Sequence, residues 1–176
     1  RLKHKNRVLV NGMPMFLISA TASKNSQYQP RTVISTDDPV ICELASQSNI
    51  ETISRVPYLS LDYAAKQDVI VDACNSLWES ECYKPDFVIS LQANSPGINS
   101  EILDSAISKF LDSKEVNGCR ELICINFDGV QNGAIRIMNY RTVYQQTLST
   151  YVNSITYDLD DIHTSDDVVD FESNRQ

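Results

Sequence analysis

Short runs of β-branched and apolar residues alternate along the chain with stretches whose apolar positions recur at helical spacing. Arg31–Ser35, Ile50–Ser54, Asp86–Leu91, Glu121–Phe127, Ala134–Met138 and Ser154–Leu159 read as strands. Between them, Asp38 caps a helix with Pro39 at its first position and Val40, Ile41, Leu44 and Ala45 on its buried side. Ile70, Ala73, Cys74, Leu77 and Trp78 form a second stripe at i, i+3, i+4, i+7 and i+8. Ile102, Leu103, Ala106, Ile107 and Phe110 form a third after a cap at Ser100. Thr164 with Asp167 three residues on is the pattern of a capping box opening a last helix. Strands alternating with helices predict an α/β protein, a mostly parallel sheet with helices on both faces.

In open sheets of this kind ligands sit beyond the carboxyl ends of the strands. That rule selects three polar segments: Ser35-Thr36-Asp37-Asp38, Gln92-Ala93-Asn94-Ser95-Pro96 and Asp160-Asp161-Ile162-His163-Thr164. Each also has the composition of an ordinary turn or cap, so no one of them alone marks a site.

Composition narrows the chemistry. The 176 residues have the length of one domain, and 42% hydrophobic content with 22% charge suits a folded protein. A net charge of −8 disfavours a general nucleic-acid binder, which needs clustered cations. Yet Arg1, Lys3, Lys5 and Arg7 gather positive charge within the first seven residues, a place for a small anion or a solvated charge run. Five cysteines without a C-x-x-C pair read as reduced thiols of a cytoplasmic protein, and the two histidines lack partners at zinc-site spacing. No apolar run reaches the length of a membrane span, so no membrane partner is expected.

Taken in order, several segments resemble the cytidylyltransferases that activate N-acylneuraminate and related sugars, with the ketodeoxyoctonate enzymes as more distant relatives. Arg1-Leu2-Lys3-His4-Lys5-Asn6 is similar to the second half of the family's N-terminal signature, and Val10-Asn11-Gly12-Met13-Pro14-Met15 to the Gly-x-Pro segment after it. Val33-Ile34-Ser35-Thr36-Asp37 resembles the V-S-T-D strand end. Arg55, Leu59, Asp62 and Ala64 resemble R-P-x-x-L-x-x-D-x-A, with Val56 in place of the proline. Leu91-Gln92-Ala93-Asn94-Ser95-Pro96 is similar to L-Q-x-T-S-P, and Asn132-Gly133-Ala134-Ile135 with Ile137 to N-G-A-I-x-I. Asp161-Ile162-His163-Thr164 with Asp167 resembles D-I-D-T-x-x-D, His163 standing where the family has a second aspartate. The family's opening strand and small-residue turn, carrying Arg, Ser and Lys, have no counterpart here. Its long insertion before N-G-A-I is replaced by Asp128, Gly129, Val130 and Gln131. The expectation is a single cytidylyltransferase-like domain over residues 1–176 of Rossmann-like nucleotidyltransferase fold, lacking that strand, turn and insertion.

The resemblance implies a reaction in which the anomeric hydroxyl of an acidic sugar attacks the α-phosphorus of CTP and expels pyrophosphate. It implies Lys5 and Asp161 as catalytic groups. Arg1, Lys5 and Asn6 fall at the phosphates, and Arg55 with the backbone near Ala64 at the base. Gln92, Asn94 and Asn132 fall at the sugar. Magnesium is implied as cofactor, held by Asp161 with His163, a ligand softer than that metal prefers. Lys66 stands where the family has a serine. A cytoplasmic homodimer acting on CTP and a nonulosonate is the implied setting. Ketodeoxyoctonate remains open as acceptor, and so does a non-catalytic relative that keeps the fold as a binding or assembly module.

Overall fold

The computed structural model describes all residues except Arg1, Lys3, Asp62, Asp160, Arg175 and Gln176. The chain opens with a 3-10 turn, Lys5–Arg7, and a two-residue hairpin of β1 (Leu9–Val10) and β2 (Met13–Pro14). Asn11 and Gly12 link these strands with φ of 50° and 77°, the paired positive values that a tight hairpin turn requires. Then follow α1 (Met15–Lys24), β3 (Val33–Thr36), α2 (Pro39–Gln47), β4 (Glu51–Ser54), α3 (Lys66–Glu81), β5 (Phe87–Leu91) and α4 (Ser100–Asn117). The remainder is β6 (Glu121–Ile125), β7 (Gln131–Asn139), β8 (Val152–Thr156) and α5 (Ser165–Ser173).

Each expected strand forms, with shifted ends, and each expected helix forms. Asp38 accepts from the Val40 N–H at 2.9 Å and caps α2 as its sequence suggests. The cap of α4 is Asn99 rather than Ser100, because the Asn99 side chain takes the Ile102 N–H at 2.9 Å. The sequence pattern does not predict helix α1. Met15, Phe16, Leu17, Ser19, Ala20, Ala22 and Ser23 are buried on all sides of it, so it carries no single apolar stripe. In α2 and α3 the stripes are narrower than expected, for Val40 and Trp78 face solvent.

The sheet departs from the mostly parallel expectation. Four strands pair in the order β5-β7-β6-β8, with β7 antiparallel to both β5 and β6 and β6 parallel to β8. The cause is the link between β6 and β7: Gly129, at φ 86°, closes a turn in which its N–H bonds the Asn126 carbonyl at 2.9 Å. So short a link can join only antiparallel neighbours. A separate parallel pair joins β3 to β4.

Helices flank the four-stranded sheet on both faces. Phe87, Ile89 and Leu91 of β5 and Ile135 and Ile137 of β7 pack in one cluster with Leu103, Ala106, Ile107 and Phe110 of α4. Val88 and Met138, at intervening positions, pack with Ile70, Val71 and Cys74 of α3. Since successive strand residues point to opposite faces, α3 and α4 cover opposite sides. The smaller pair is packed by a cluster in which Ile34 meets Phe16, Ala20, Ile41 and Ala45.

Candidate nucleotide site

The Lys5–Arg7 turn and the ends of β3, β4 and β5 surround a cleft of about 340 Å³. Lys5 and Asn6 line one side, Thr36 and Asp37 another, and Arg55 and Ala93 complete it. Arg7 is drawn off to Asp38 at 3.3 Å. Arg55 leans back on β3: its Nε donates to Ser35 Oγ at 3.2 Å and its Nη2 to the Ser35 carbonyl at 2.5 Å. Burial pushes the Arg55 pKa down, opposed by the charges of Asp37 and Asp72.

Next to this cleft the loop after β5 is stitched to the segment after β8. The Asp161 carboxylate accepts from Gln92 Nε2 on one oxygen and from Ser95 Oγ on the other. The backbone of Ile162 donates to the Asn94 carbonyl at 2.8 Å, and Asn94 Nδ2 returns a bond to the Ile162 carbonyl at 3.1 Å. His163 Nε2 lies 4.0 Å from Asp161 Oδ2. The His163 backbone ties in the amino-terminal segment, since its carbonyl accepts from the Leu2 N–H at 3.0 Å. Its own N–H donates to Asp167 Oδ2 at 2.7 Å.

Lys66 lies between this carboxylate and Lys5. Burial lowers the Lys66 pKa, the charge of Asp161 raises it, and the like charge of Lys5 lowers it again. The Lys66 ammonium occupies the space where Gly133 has no side chain: a Cβ there would stand 3.2 Å from Lys66 Nζ and 3.6 Å from Gln92 Oε1. Gln92 Oε1 is buried without a hydrogen-bond partner among the described residues. Lys66 also opens α3, where a cation opposes the positive end of the helix dipole. That local conflict is the sequence signal for this residue, as broken local rules concentrate at functional sites. Ser95 was hidden for the opposite reason, being a common loop residue next to proline.

Other anticipated residues lie apart from this cluster or are committed elsewhere. Asn132 Nδ2 donates to Asn126 Oδ1 at 2.7 Å and to the Tyr157 carbonyl at 2.8 Å, while its Oδ1 takes the Ala134 N–H at 3.0 Å. It braces β6, β7 and the end of β8. Ala64 turns its N–H to the Leu61 carbonyl at 3.0 Å, whereas Ser60 lines the cleft. Arg1 lies outside the described residues. Among the described residues no group of three or more His, Cys, Asp or Glu side chains converges on one point.

Fold and cleft define an α/β protein with a polar cleft at the carboxyl ends of its strands. Solved structures share this fold. CMP-2-keto-3-deoxy-manno-octonic acid synthetase complexed with CTP matches with a TM-score of 0.75 at 11% identity, over 99% of this chain and 92% of that one. A cytidylyltransferase from Leptospira borgpetersenii serovar Hardjo-bovis matches with a TM-score of 0.68 at 17% identity, over 98% and 80%. The 4-diphosphocytidyl-2C-methyl-D-erythritol synthase of Anaerococcus prevotii gives 0.65 at 10%, over 94% and 87%.

The cytidylyltransferase family matches residues 1–165, and the chain belongs to that family. It is similar to the pseudaminic acid cytidylyltransferase of Campylobacter jejuni subsp. jejuni serotype O:2, at 31% identity over 115 residues, which is 65% of this chain and 49% of the relative. The enzyme of that name from serotype O:23/36 is 30% identical over 115 residues, with the same shares. The chain thus spans about half the length of the curated relatives it matches.

Proposed function

We propose that this chain is the nucleotide-binding core of a CTP-dependent cytidylyltransferase that forms a CMP-activated acidic sugar and releases pyrophosphate. The acceptor proposed is a nonulosonate, pseudaminic acid in the first instance, after the relatives of that activity. The observation that carries the reading is the Asp161 carboxylate, fixed by Gln92 and Ser95 with Lys66 charged near it, next to the cleft that Lys5 lines.

Attack of the anomeric hydroxyl on the α-phosphorus needs alignment and neutralisation of charge rather than a covalent partner. Lys5 and Asn6, at the mouth of the cleft, contact the triphosphate, and the resemblance adds Arg1 as a further phosphate-binding cation. Arg55 reads the cytosine edge with the backbone near Ala64, once these groups leave Ser35 and Leu61. Gln92 holds the acceptor. Asn94 is buried and bonded to Ile162, so it shapes the acceptor loop instead of touching sugar. Asn132 supports the same loop through the strands. Lys66 adds the cation that an acidic sugar requires.

Magnesium fits the donor set. It takes one or two carboxylates and completes its shell with water and phosphate oxygens, so Asp161 with the unpartnered Gln92 Oε1 suffices. His163 then acts through a bound water or a phosphate. When present, the ion supplies charge neutralisation at the phosphates. The proposal is tested by pyrophosphate release from CTP with magnesium and an acidic ketosugar, pseudaminic and N-acetylneuraminic acids first. Equal turnover with neutral aldohexose phosphates would reject it.

A further inference from the structure

A guanidinium presents its N–H groups along the edges of a rigid plane, and it can tell one base from another only if that plane is held. Arg55 engages one edge, and on a single residue: Nε donates to Ser35 Oγ at 3.2 Å and Nη2 to the Ser35 carbonyl at 2.5 Å. Nη1 makes no hydrogen bond among the described residues. Ser35 therefore parks the side chain against β3, and another group has to hold it once it faces a ligand.

Two carboxylates act on Arg55 by their charge, Asp37 and Asp72, and they are placed differently. Asp37 is exposed and lines the cleft. Asp72 belongs to α3 and does not border the cleft. Its helix neighbours Val69 and Ala73 border a slot of about 600 Å³ between β3 and β5, and Arg55 borders the same slot. Asp72 Oδ2 is buried, and among the described residues it has neither a hydrogen-bond partner nor an ion pair. A carboxylate oxygen cut off from water and bonded to nothing is costly to keep, and a donor that comes to it removes that cost. Arg55, with an unengaged edge and a charge that already feels Asp72, is such a donor.

We infer that Asp72 is the positioning residue for Arg55: when the guanidinium comes off Ser35, Asp72 accepts from one of its edges and leaves the other turned to the cleft. The inference rests on the proposed role of Arg55 at the base. A carboxylate takes a guanidinium edge through parallel N–H···O bonds in one plane, which fixes the direction of the remaining edge. Cytosine offers that edge two adjacent acceptors, O2 and N3, whereas uracil carries a hydrogen on N3. A held edge of donors therefore favours cytosine, while a guanidinium free to pivot can bond O2 of either base. Asp72 touches no nucleotide in this arrangement, and its effect falls on the choice between CTP and UTP.

The test is calorimetric binding of CTP and of UTP, each with magnesium, to the full chain, to Asp72→Asn, to Arg55→Gln and to the variant carrying both changes. Asp72→Asn is expected to lower the preference for CTP over UTP about tenfold, mostly through weaker CTP binding, and Arg55→Gln to lower it about as far. The double variant is expected to stay within about twofold of Arg55→Gln, since residues that act as a unit do not add. Asp72→Ser gives the same readout should Asp72→Asn fold poorly. A preference that falls in Arg55→Gln but holds in the folded Asp72 variants overturns the inference alone. So does an equal weakening of both nucleotides by the Asp72 change, which is what a purely structural role produces. A preference that holds in Arg55→Gln, or no preference in the parent chain, rejects the role of Arg55 at the base, and the inference falls with it.

Discussion

At the scale of single residues, Glu121 shows how much one buried side chain can hold. It is fully buried and accepts from Arg136 Nε at 2.5 Å and from the Ser149 N–H at 2.7 Å, while Arg136 Nη1 reaches Gln67 Oε1 at 2.6 Å. Glu121→Ala leaves a guanidinium and a backbone donor without their partner, and is expected to cost about 3–5 kcal/mol in chemical denaturation. Glu121→Gln, which still accepts from Ser149, is expected to lose clearly less. In the site, Asp161 and His163 were legible as a motif, but their unequal placement was not. Asp161 is locked by two donors, and His163 stands half-exposed at 4.0 Å from it. Asp161→Asn is accordingly expected to lower pyrophosphate release at least about a hundredfold at any magnesium concentration, whereas His163→Asp keeps activity or lowers the magnesium requirement. A magnesium titration of both variants checks this, and a fully active Asp161→Asn would reverse the two roles. Lys66 enters the sequence only as the residue standing where the family has a serine, and a cation at the start of α3 does not by itself say what it faces. Only the fold brings it over Gly133, against Gln92.

At the scale of elements, periodicity and caps were the legible features, and what they missed has a common cause. Helices α2, α4 and α5 start at side-chain caps, and α2, α3 and α4 carry an apolar stripe on one side, whereas α1 is packed on several sides and has no stripe to read. The capping box of α5 forms as its sequence demands, with Thr164 Oγ1 taking the Asp167 N–H at 3.2 Å and Asp167 Oδ2 taking that of Thr164 at 2.9 Å. The same carboxylate takes the His163 N–H, so the cap also fixes the segment that carries Asp161. Thr164→Ala is expected to cost about 1 kcal/mol of stability. The bonds from the His163 backbone, the Thr164 side chain and the Thr164 backbone hold the Asp167 pKa below the usual carboxylate range. Because the folded pKa is depressed, this stabilisation is complete above the unfolded value of about 4 and is lost as pH falls through the folded one. Amide exchange in the first turn of α5 is therefore expected to quicken below pH about 4 in the parent protein, with a weaker pH response in Asp167→Asn. Identical responses would place acid sensitivity elsewhere.

At the scale of the molecule, strand content could be read along the chain but strand order could not, since pairing is decided between segments remote in sequence. The reversal of β7 follows from one short turn, and the division into two sheets follows from the slot between β3 and β5. The candidate site spans that division. Arg55, Asp37 and Thr36 belong to the β3–β4 side, while Gln92, Ser95 and Asp161 belong to the side of β5 and β8. A ligand that touches both adds contacts across a junction where the strands themselves share no ladder. Binding only the native state, it also stabilises by mass action, by about 2.7 kcal/mol at a hundredfold excess over Kd. CTP with magnesium is therefore expected to raise the melting temperature by roughly 5–10 °C, and ATP or GTP at the same concentration by far less, if Arg55 and nearby backbone groups read the base as proposed. The rise should come with slower amide exchange on both sides of the junction, at Ser35 and at Leu91 alike. An equal shift with all three nucleotides would remove base recognition from Arg55, and protection confined to one side would show that the ligand does not bridge the two sheets.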